Sequence, residues 1–229
     1  MNSELSRSEK IQSMFQVAYE RHEEGQLGEA YTLYSELLEF EPCHFDALHL
    51  SGLIAYQTAN PELAIRYISD AIAIKSDDPA SHNNLGIALH EMGEYKRALE
   101  HYQIAQALNP DYIGAFYNAG NACHAKGDLD GAAGYYEKVI SLDSNYADAH
   151  LNLGIVLHDL GRFDYAIASF DLVLSIKPDY AHAFFNRGMA FEAIGEIEKA
   201  LLDYDRALIF DPEHEGAVTN RQQILKNKP

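Results

Sequence analysis

The sequence predicts an all-α solenoid of six 34-residue helix-turn-helix repeats, closed by a C-terminal capping helix. Three observations predict it. Alanine recurs at every thirty-fourth residue from Ala30 to Ala200, a small residue recurs in the same rhythm before each of them, and apolar residues follow at helical spacing. The chain has 229 residues, of which 47% are hydrophobic, so it contains enough apolar material for such an array.

Proline or serine at a fixed place in each repeat sets the repeat boundaries. Residues 1–10 are predicted to be an N-terminal lead-in, and residues 215–229 a capping helix and tail. The polar face expected of the capping helix suits the end of a solenoid. The six predicted units of the array are residues 11–44, 45–78, 79–112, 113–146, 147–180 and 181–214.

The third unit illustrates why each repeat is predicted to contain two helices. Leu85 and Leu89 keep helical spacing, and Gly93 then ends the first helix because glycine adopts a left-handed cap conformation cheaply. Tyr102 belongs to the apolar face of a second helix, which should stop before Pro110 because proline disfavours helical geometry in the residue before it. Small residues at the eighth and twentieth positions would let the two helices approach closely.

Several short polar residues are predicted to cap helices. Ser6 and Glu9 have the spacing of a capping box at the start of the first helix. Asp111, Asn145 and Asp179 follow the proline or serine of the preceding unit, and each is predicted to cap the helix after it.

The repeat resembles the tetratricopeptide repeat in residues 11–214. The shared signature is a small residue at position 8, Gly near 15, Ala at 20, an aromatic residue at 24 and Pro at 32. His82 and His150 depart from it, because they stand at position 4 where an aromatic residue is expected. The resemblance implies that the first helices line the concave face of a right-handed superhelix, and we expect His82 and His150 to be partly buried packing residues.

Charge and cysteine content exclude several classes of partner. There are 17 Lys and Arg against 35 Asp and Glu, a net charge of −18, so the chain should repel nucleic-acid backbones and anionic membranes. Two cysteines without a CxxC motif suit a reducing compartment, and the segment MNSELSRSEKIQ lacks the apolar core of a signal peptide. These observations predict a cytoplasmic protein without membrane insertion.

The sequence contains no phosphate-binding loop, GxSxG or HExxH motif, and it therefore predicts a non-enzymatic protein without a cofactor. Histidine recurs at position 12 as His22, His90, His124 and His158. Neighbouring packed helices lie about 8–10 Å apart, so such a row is poorly placed to share one metal ion. We expect the row to contact a ligand or simply to be exposed, and we predict no metal site.

Asparagine recurs at position 6 as Asn84, Asn118, Asn152 and Asn186. The row resembles the asparagine ladder in the superhelical repeat arm of O-GlcNAc transferases, where stacked amides hold the backbone of an extended peptide. An amide offers two donors and an acceptor, which match a peptide unit whatever its side chain. The alternative is that the row serves the packing of the first helices by bonding groups nearby.

These patterns together predict a protein–protein interaction scaffold that binds an extended polypeptide, neutral or basic, in its concave groove. A carboxylate-binding clamp is disfavoured because His182 and Asn186 stand where the family's clamp would need Lys and Arg. The alternatives are the substrate-targeting arm of a glycosyltransferase or other enzyme complex, and self-association. The predicted peptide-binding residues are Asn84, Asn118, Asn152, Asn186, Tyr117, Asn121, His90, His124, His158 and Phe185.

Overall fold

The computed structural model describes residues 6–227, and within that range it contains α-helices and no strand. The order agrees with the all-α solenoid predicted from the sequence. The thirteen helices of the described range are α1 Arg7–Glu23, α2 Leu27–Phe40, α3 Phe45–Gln57, α4 Pro61–Ile74, α5 Pro79–Glu91, α6 Tyr95–Leu108, α7 Ile113–Lys126, α8 Leu129–Leu142, α9 Ala147–Asp159, α10 Phe163–Ile176, α11 Ala181–Ala193, α12 Ile197–Phe210 and α13 Glu215–Asn227.

The helices form two compact units, which divide within α7. Unit 1 ends at Asn118, and unit 2 begins at Ala119. In unit 1, α1 packs on α2, α3 on α4 and α5 on α6, while α2 and α4 also contact the first helix of the following pair. Unit 2 repeats this arrangement in α9 with α10 and α11 with α12, and α13 covers α12. Each helix pair therefore completes its burial against its neighbour.

Tight turns connect the two helices of each pair. Five of these turns contain a glycine with positive φ, as at Gly93, where φ is +74° and the amide donates to the His90 carbonyl. Ala59 occupies the corresponding place after α3 with φ of +57°, a conformation that costs an L-residue about 1 kcal/mol. Pro61 then begins α4, where its missing N–H is harmless.

The small residue at position 8 makes room for the large side chain at position 24. A Cβ added to Gly154 would lie 2.5 Å from Cε1 of Phe170, which is completely buried. Gly120 faces Tyr136 in the same way, and Gly188 faces Tyr204. The glycine therefore sets the closest approach of the two helices in each of these pairs.

The helix starts confirm one predicted set of caps and correct another. Ser6 and Glu9 form the capping box, in which the Ser6 amide donates to Glu9 Oε2 over 2.7 Å. Asn145 and Asp179 do not cap α9 and α11, whose cap residues are Tyr146 and Tyr180, without a capping side-chain bond. The prediction placed the cap one residue too early in the chain.

Two buried histidines replace the aromatic residue at position 4. His82 and His150 are 5% and 4% exposed, which confirms that they are packing residues. Each donates from Nε2 to a backbone carbonyl six residues earlier, His82 to Ser76 over 3.1 Å and His150 to Ser144 over 3.0 Å. Those serines occupy the positions where the other units have proline.

An ion cluster joins the last helices of unit 2. Arg187 of α11 donates from Nε and Nη2 to both carboxylate oxygens of Asp203 of α12, over 2.7 and 2.8 Å. Its Nη1 also contacts Asp171 of α10. The Asp203 side chain is 3% exposed and that of Arg187 15%, so this pair is largely removed from water.

Candidate functional site

The predicted binding residues lie on the first helices of the helix pairs. We call the surface that these helices form within each compact unit its first-helix face. In unit 1 it is carried by α1, α3 and α5, with the end of the unit at Asn118, and in unit 2 by the rest of α7 together with α9 and α11.

A chain of hydrogen bonds crosses the first-helix face of unit 1. Asn118 Nδ2 donates to Asn83 Oδ1 over 3.0 Å, and Asn83 Nδ2 donates to Asn84 Oδ1 over 3.3 Å. Asn84 Nδ2 then contacts His49 Nε2 at 3.2 Å. The amides of Asn84 and Asn118 therefore each connect their own helix or segment to the first helix before it.

The chain continues from His49 into buried polar groups at the start of α5. Ser81 Oγ donates to Asp78 Oδ2 over 2.8 Å, so it accepts from His49 Nδ1, which lies 2.7 Å away. His49 Nε2 is then the acceptor for Asn84. Burial lowers the pKa of His49, against the opposing influence of Asp78 and Asp46, in agreement with a neutral ring.

Two depressions flank this chain in unit 1. A cleft of about 430 Å³ lies between α1, α3 and the start of α5, and a smaller one of about 180 Å³ lies between α3, α4 and α5. Apolar and aromatic side chains dominate both linings, which are typical of ligand sites. The cleft is lined by Phe15, Tyr19, Phe45, Asp46, His49, Leu50, Asp78 and Ala80, and the smaller depression by Leu53, Tyr56, Gln57, Ile68, Asn84 and Ile87.

Unit 2 orders its amides differently. Asn121 Oδ1 accepts from the hydroxyl of Tyr136 over 2.7 Å and from Nδ2 of Asn152 over 3.2 Å. Asn152 therefore also connects its helix to the preceding first helix, while the buried Tyr136 fixes the orientation of the Asn121 amide. Asn186 differs, because its Nδ2 donates over 2.7 Å to the His182 carbonyl of its own helix.

Aromatic rings cluster around Phe185 in the last helices. The Phe185 ring lies 4.6 Å from that of His214 and 6.0 Å from that of Tyr204, measured between centroids. The Tyr204 hydroxyl donates to Glu192 Oε2 over 2.7 Å and accepts from Asn220 Nδ2 over 3.3 Å. Burial and the Glu192 carboxylate raise the pKa of Tyr204, so its hydroxyl keeps its proton at neutral pH.

The histidines at position 12 pack against aromatic rings or face a carboxylate. The His90 ring lies 5.2 Å from that of Tyr95, and His90 Nε2 is buried without a hydrogen-bond partner among residues 6–227. In unit 2, His124 Nε2 and His158 Nδ1 lie 3.6 and 3.5 Å from the two oxygens of Asp159. The described residues contain no group of three or more metal-ligating side chains that could hold a metal ion.

The structure thus places each predicted site residue, but it does so in separate local networks. Asn84 and Asn118 share the unit 1 chain, Asn121 and Asn152 share a contact in unit 2, and Tyr117 is half-buried on α7. The sequence prediction omitted the apolar linings of the two depressions in unit 1. Phe15, Phe45 and Leu53 could have been selected only by knowing which packing residues remain open to the surface.

Within residues 6–227, the helices are too short or too polar for any of them to cross a bilayer.

Family models match the chain in four segments. Models described as tetratricopeptide repeat match residues 79–112, 147–180 and 172–215, and one described as TPR repeat matches residues 120–161. Among curated proteins, none matches the chain by sequence.

Solved structures of repeat proteins share the fold. YrrB, described as a TPR protein with an unusual peptide-binding site, has a TM-score of 0.70 at 21% identity, over 82% of this chain and 97% of its own. PilF of Pseudomonas aeruginosa has a TM-score of 0.78 at 20% identity, over 97% and 99% of the two chains. PilW, a type IV pilus biogenesis factor, has a TM-score of 0.79 at 18% identity, over 92% and 97%.

Proposed function

The chain belongs to the tetratricopeptide-repeat family, and from this premise we propose that it is a non-enzymatic scaffold that holds an extended polypeptide against its first-helix face. Members of this family bind peptide or protein partners. The main observation in support is that the amides of Asn84, Asn118 and Asn152 are held in fixed orientations by bonds to the preceding helix. A binding group that is already ordered loses less entropy when a ligand arrives.

The bond to Asn83 leaves the Asn118 amide with capacity for a ligand. A primary amide has two N–H donors and an oxygen that accepts two bonds, and the contact that Asn118 makes with Asn83 uses one donor. Asn118 is half-buried, so part of it faces solvent. We therefore propose that one side of the Asn118 amide stabilises the helix array while the other side bonds to the backbone of the bound polypeptide, and we assign the same role to Asn84 and Asn152.

Side-chain contacts would come from neighbouring residues of the same face. We assign this role to Tyr117 and Asn121 beside the amides and to Phe185 in the last helix pair, with His90, His124 and His158 at the edge. YrrB, which has this fold, is described as having a peptide-binding site. The net charge of −18 favours a neutral or basic partner, since opposite charge steers association.

The cytoplasm is the compartment that we propose, because both cysteines are free.

The proposal is tested by selecting binders from a displayed library of random twelve-residue peptides and measuring their affinities by fluorescence anisotropy. Asn118→Ala in unit 1 and Asn152→Ala in unit 2 are compared singly and together with the wild type. We expect each substitution to weaken binding about five- to tenfold for peptides that use that unit, the loss of one hydrogen bond.

Asn145→Ala is the matched control, because Asn145 is exposed in a turn outside the first-helix face. It should leave affinity unchanged. Asn118→Ala also leaves the buried Asn83 carbonyl oxygen without its donor, so circular dichroism must show that helicity is retained at the assay temperature. Peptides that bind the folded double variant as tightly as the wild type would show that the amides do not hold the ligand.

A further inference from the structure

The cleft between α1 and α3 has aromatic walls. The rings of Phe15 and Tyr19 are stacked with their centroids 6.0 Å apart, and Phe45 forms the opposite wall beside His49, 5.9 Å from it. Tyr19 is 38% exposed, so its ring faces the opening. A ring face carries a partial negative charge, and aromatic walls around an open cleft therefore attract cations.

Two carboxylates add negative charge to these walls. Asp46 and Asp78 both line the cleft, and Asp46 is exposed with no ion-pair partner among the described residues. Asp78 is partly neutralised, since its Oδ1 lies 3.7 Å from the Lys75 ammonium. His49, the remaining polar group of the lining, is held neutral by burial and so does not cancel the charge of Asp46.

The chain's own Lys75 shows that this chemistry accommodates a cation. Its ammonium lies 5.1 Å from the centroid of the Phe45 ring as well as near Asp78. Lys75 does not line the cleft, and Phe15 is already stacked with His44 at 5.1 Å, so the exposed Tyr19 ring and the Asp46 carboxylate are the groups that remain without a cation.

We propose that this cleft binds a basic side chain, lysine or arginine, of the polypeptide held on the first-helix face. The cation would lie between the aromatic walls with Asp46 as its counter-ion. This inference rests on the proposed function and adds to it a specific subsite in unit 1. It also gives a structural location for the preference for basic partners.

Small probes test the subsite without a known partner. The Nα-acetyl N-methylamides of lysine, arginine and norleucine are titrated into the ¹⁵N-labelled full chain, and amide shifts are followed by NMR. Lysine and arginine probes should shift the amides near Tyr19 in α1 and Asp46 in α3 with saturable curves, and a difference between the two would identify the preferred cation. Norleucine, which has the same apolar stem without the charge, should bind at least about fivefold more weakly.

Variants then assign the contributions. Asp46→Asn should weaken the lysine probe about fivefold and Tyr19→Leu about threefold, from the magnitudes typical of ion pairs and cation–π contacts. Asp148→Asn is the control, because Asp148 occupies the same repeat position in another helix but is already paired with Lys177 over 3.0 Å.

Equal binding of norleucine and lysine, or an Asp46→Asn variant that binds lysine like the wild type, would overturn the subsite. That failure is distinguishable from failure of the proposed function. Library peptides that depend on Asn118 but not on Asp46 would leave the scaffold function standing and remove the cleft. A lysine probe that depends on Asp46 while no peptide depends on the amides would support the cleft and contradict the amide mechanism.

Discussion

Replacing Arg187 with leucine should lower the free energy of unfolding of unit 2 by about 3 kcal/mol. The guanidinium makes both of the short bonds that the Asp203 carboxylate receives, and that carboxylate is 3% exposed. Removing one partner of a buried ion pair typically costs about 3–5 kcal/mol, because the remaining charge stays desolvated and uncompensated. Leucine recovers part of the loss by burying apolar surface, so we expect the lower end of that range.

The chain itself offers a compensating replacement. Leu153 and Ser169 occupy the places of Arg187 and Asp203 one repeat earlier, and both are buried there. The double variant Arg187→Leu with Asp203→Ser therefore transplants an existing pair. It should be within about 1 kcal/mol of the wild type, because exchanging a buried ion pair for well-packed neutral residues is often close to neutral.

Urea denaturation followed by circular dichroism measures both variants, since the chain has no tryptophan. Repeat arrays can unfold in parts, so hydrogen exchange of the α11 and α12 amides should accompany the denaturation curves. A single variant that loses less than about 1 kcal/mol, or a double variant that loses as much as the single one, would refute this reasoning.

Two further predictions concern packing and pH. Gly154→Ala should lower the free energy of unfolding by about 2 kcal/mol, because its Cβ would meet the buried Phe170 ring at 2.5 Å. Gly134→Ala has nothing within 4 Å of the new Cβ and should raise the free energy of unfolding by up to about 1 kcal/mol. Urea denaturation compares the two variants, and equal effects would contradict the steric argument. Burial lowers the pKa of both His49 and His101. Below the ordinary value of 6.5 the unfolded chain therefore binds more protons than the folded chain, and the free energy of unfolding decreases as the pH decreases. His49→Gln should flatten that fall between pH 7 and 5, and an unchanged slope would show that His49 does not contribute.

The repeat frame was readable from the sequence because its determinants are steric and local. A glycine such as Gly93 is favoured in each turn that requires positive φ, and a glycine such as Gly154 in each helix that a large ring crosses. Both kinds of glycine therefore recur at fixed spacing. Capping was less predictable. Asn145 is a good capping residue by type, but the backbone makes Tyr146 the cap position, and one residue of error changes the outcome.

The site was predictable only in part. Helical periodicity placed Asn84 and Asn118 on the first helices, but their partners His49 and Asn83 depend on the register between neighbouring helices, which one repeat does not encode. Asn186 shows this limit, because the same residue type in the same place bonds to its own helix. The pairing of Arg187 with Asp203 likewise joins residues of two helices across a turn. The resemblance to the repeat arm of O-GlcNAc transferases stays a prediction.

The bonds of His82 to Ser76 and of His150 to Ser144 bear on where the array can be divided. The two histidines are 68 residues apart, as are the two serines, whereas the intervening units have proline and another residue in these places. Each bond therefore connects the start of one unit to the end of the unit before it. It also guides the choice of truncation points, because a break after residue 78 separates His82 from its acceptor, whereas a break after residue 112 leaves both bonds whole.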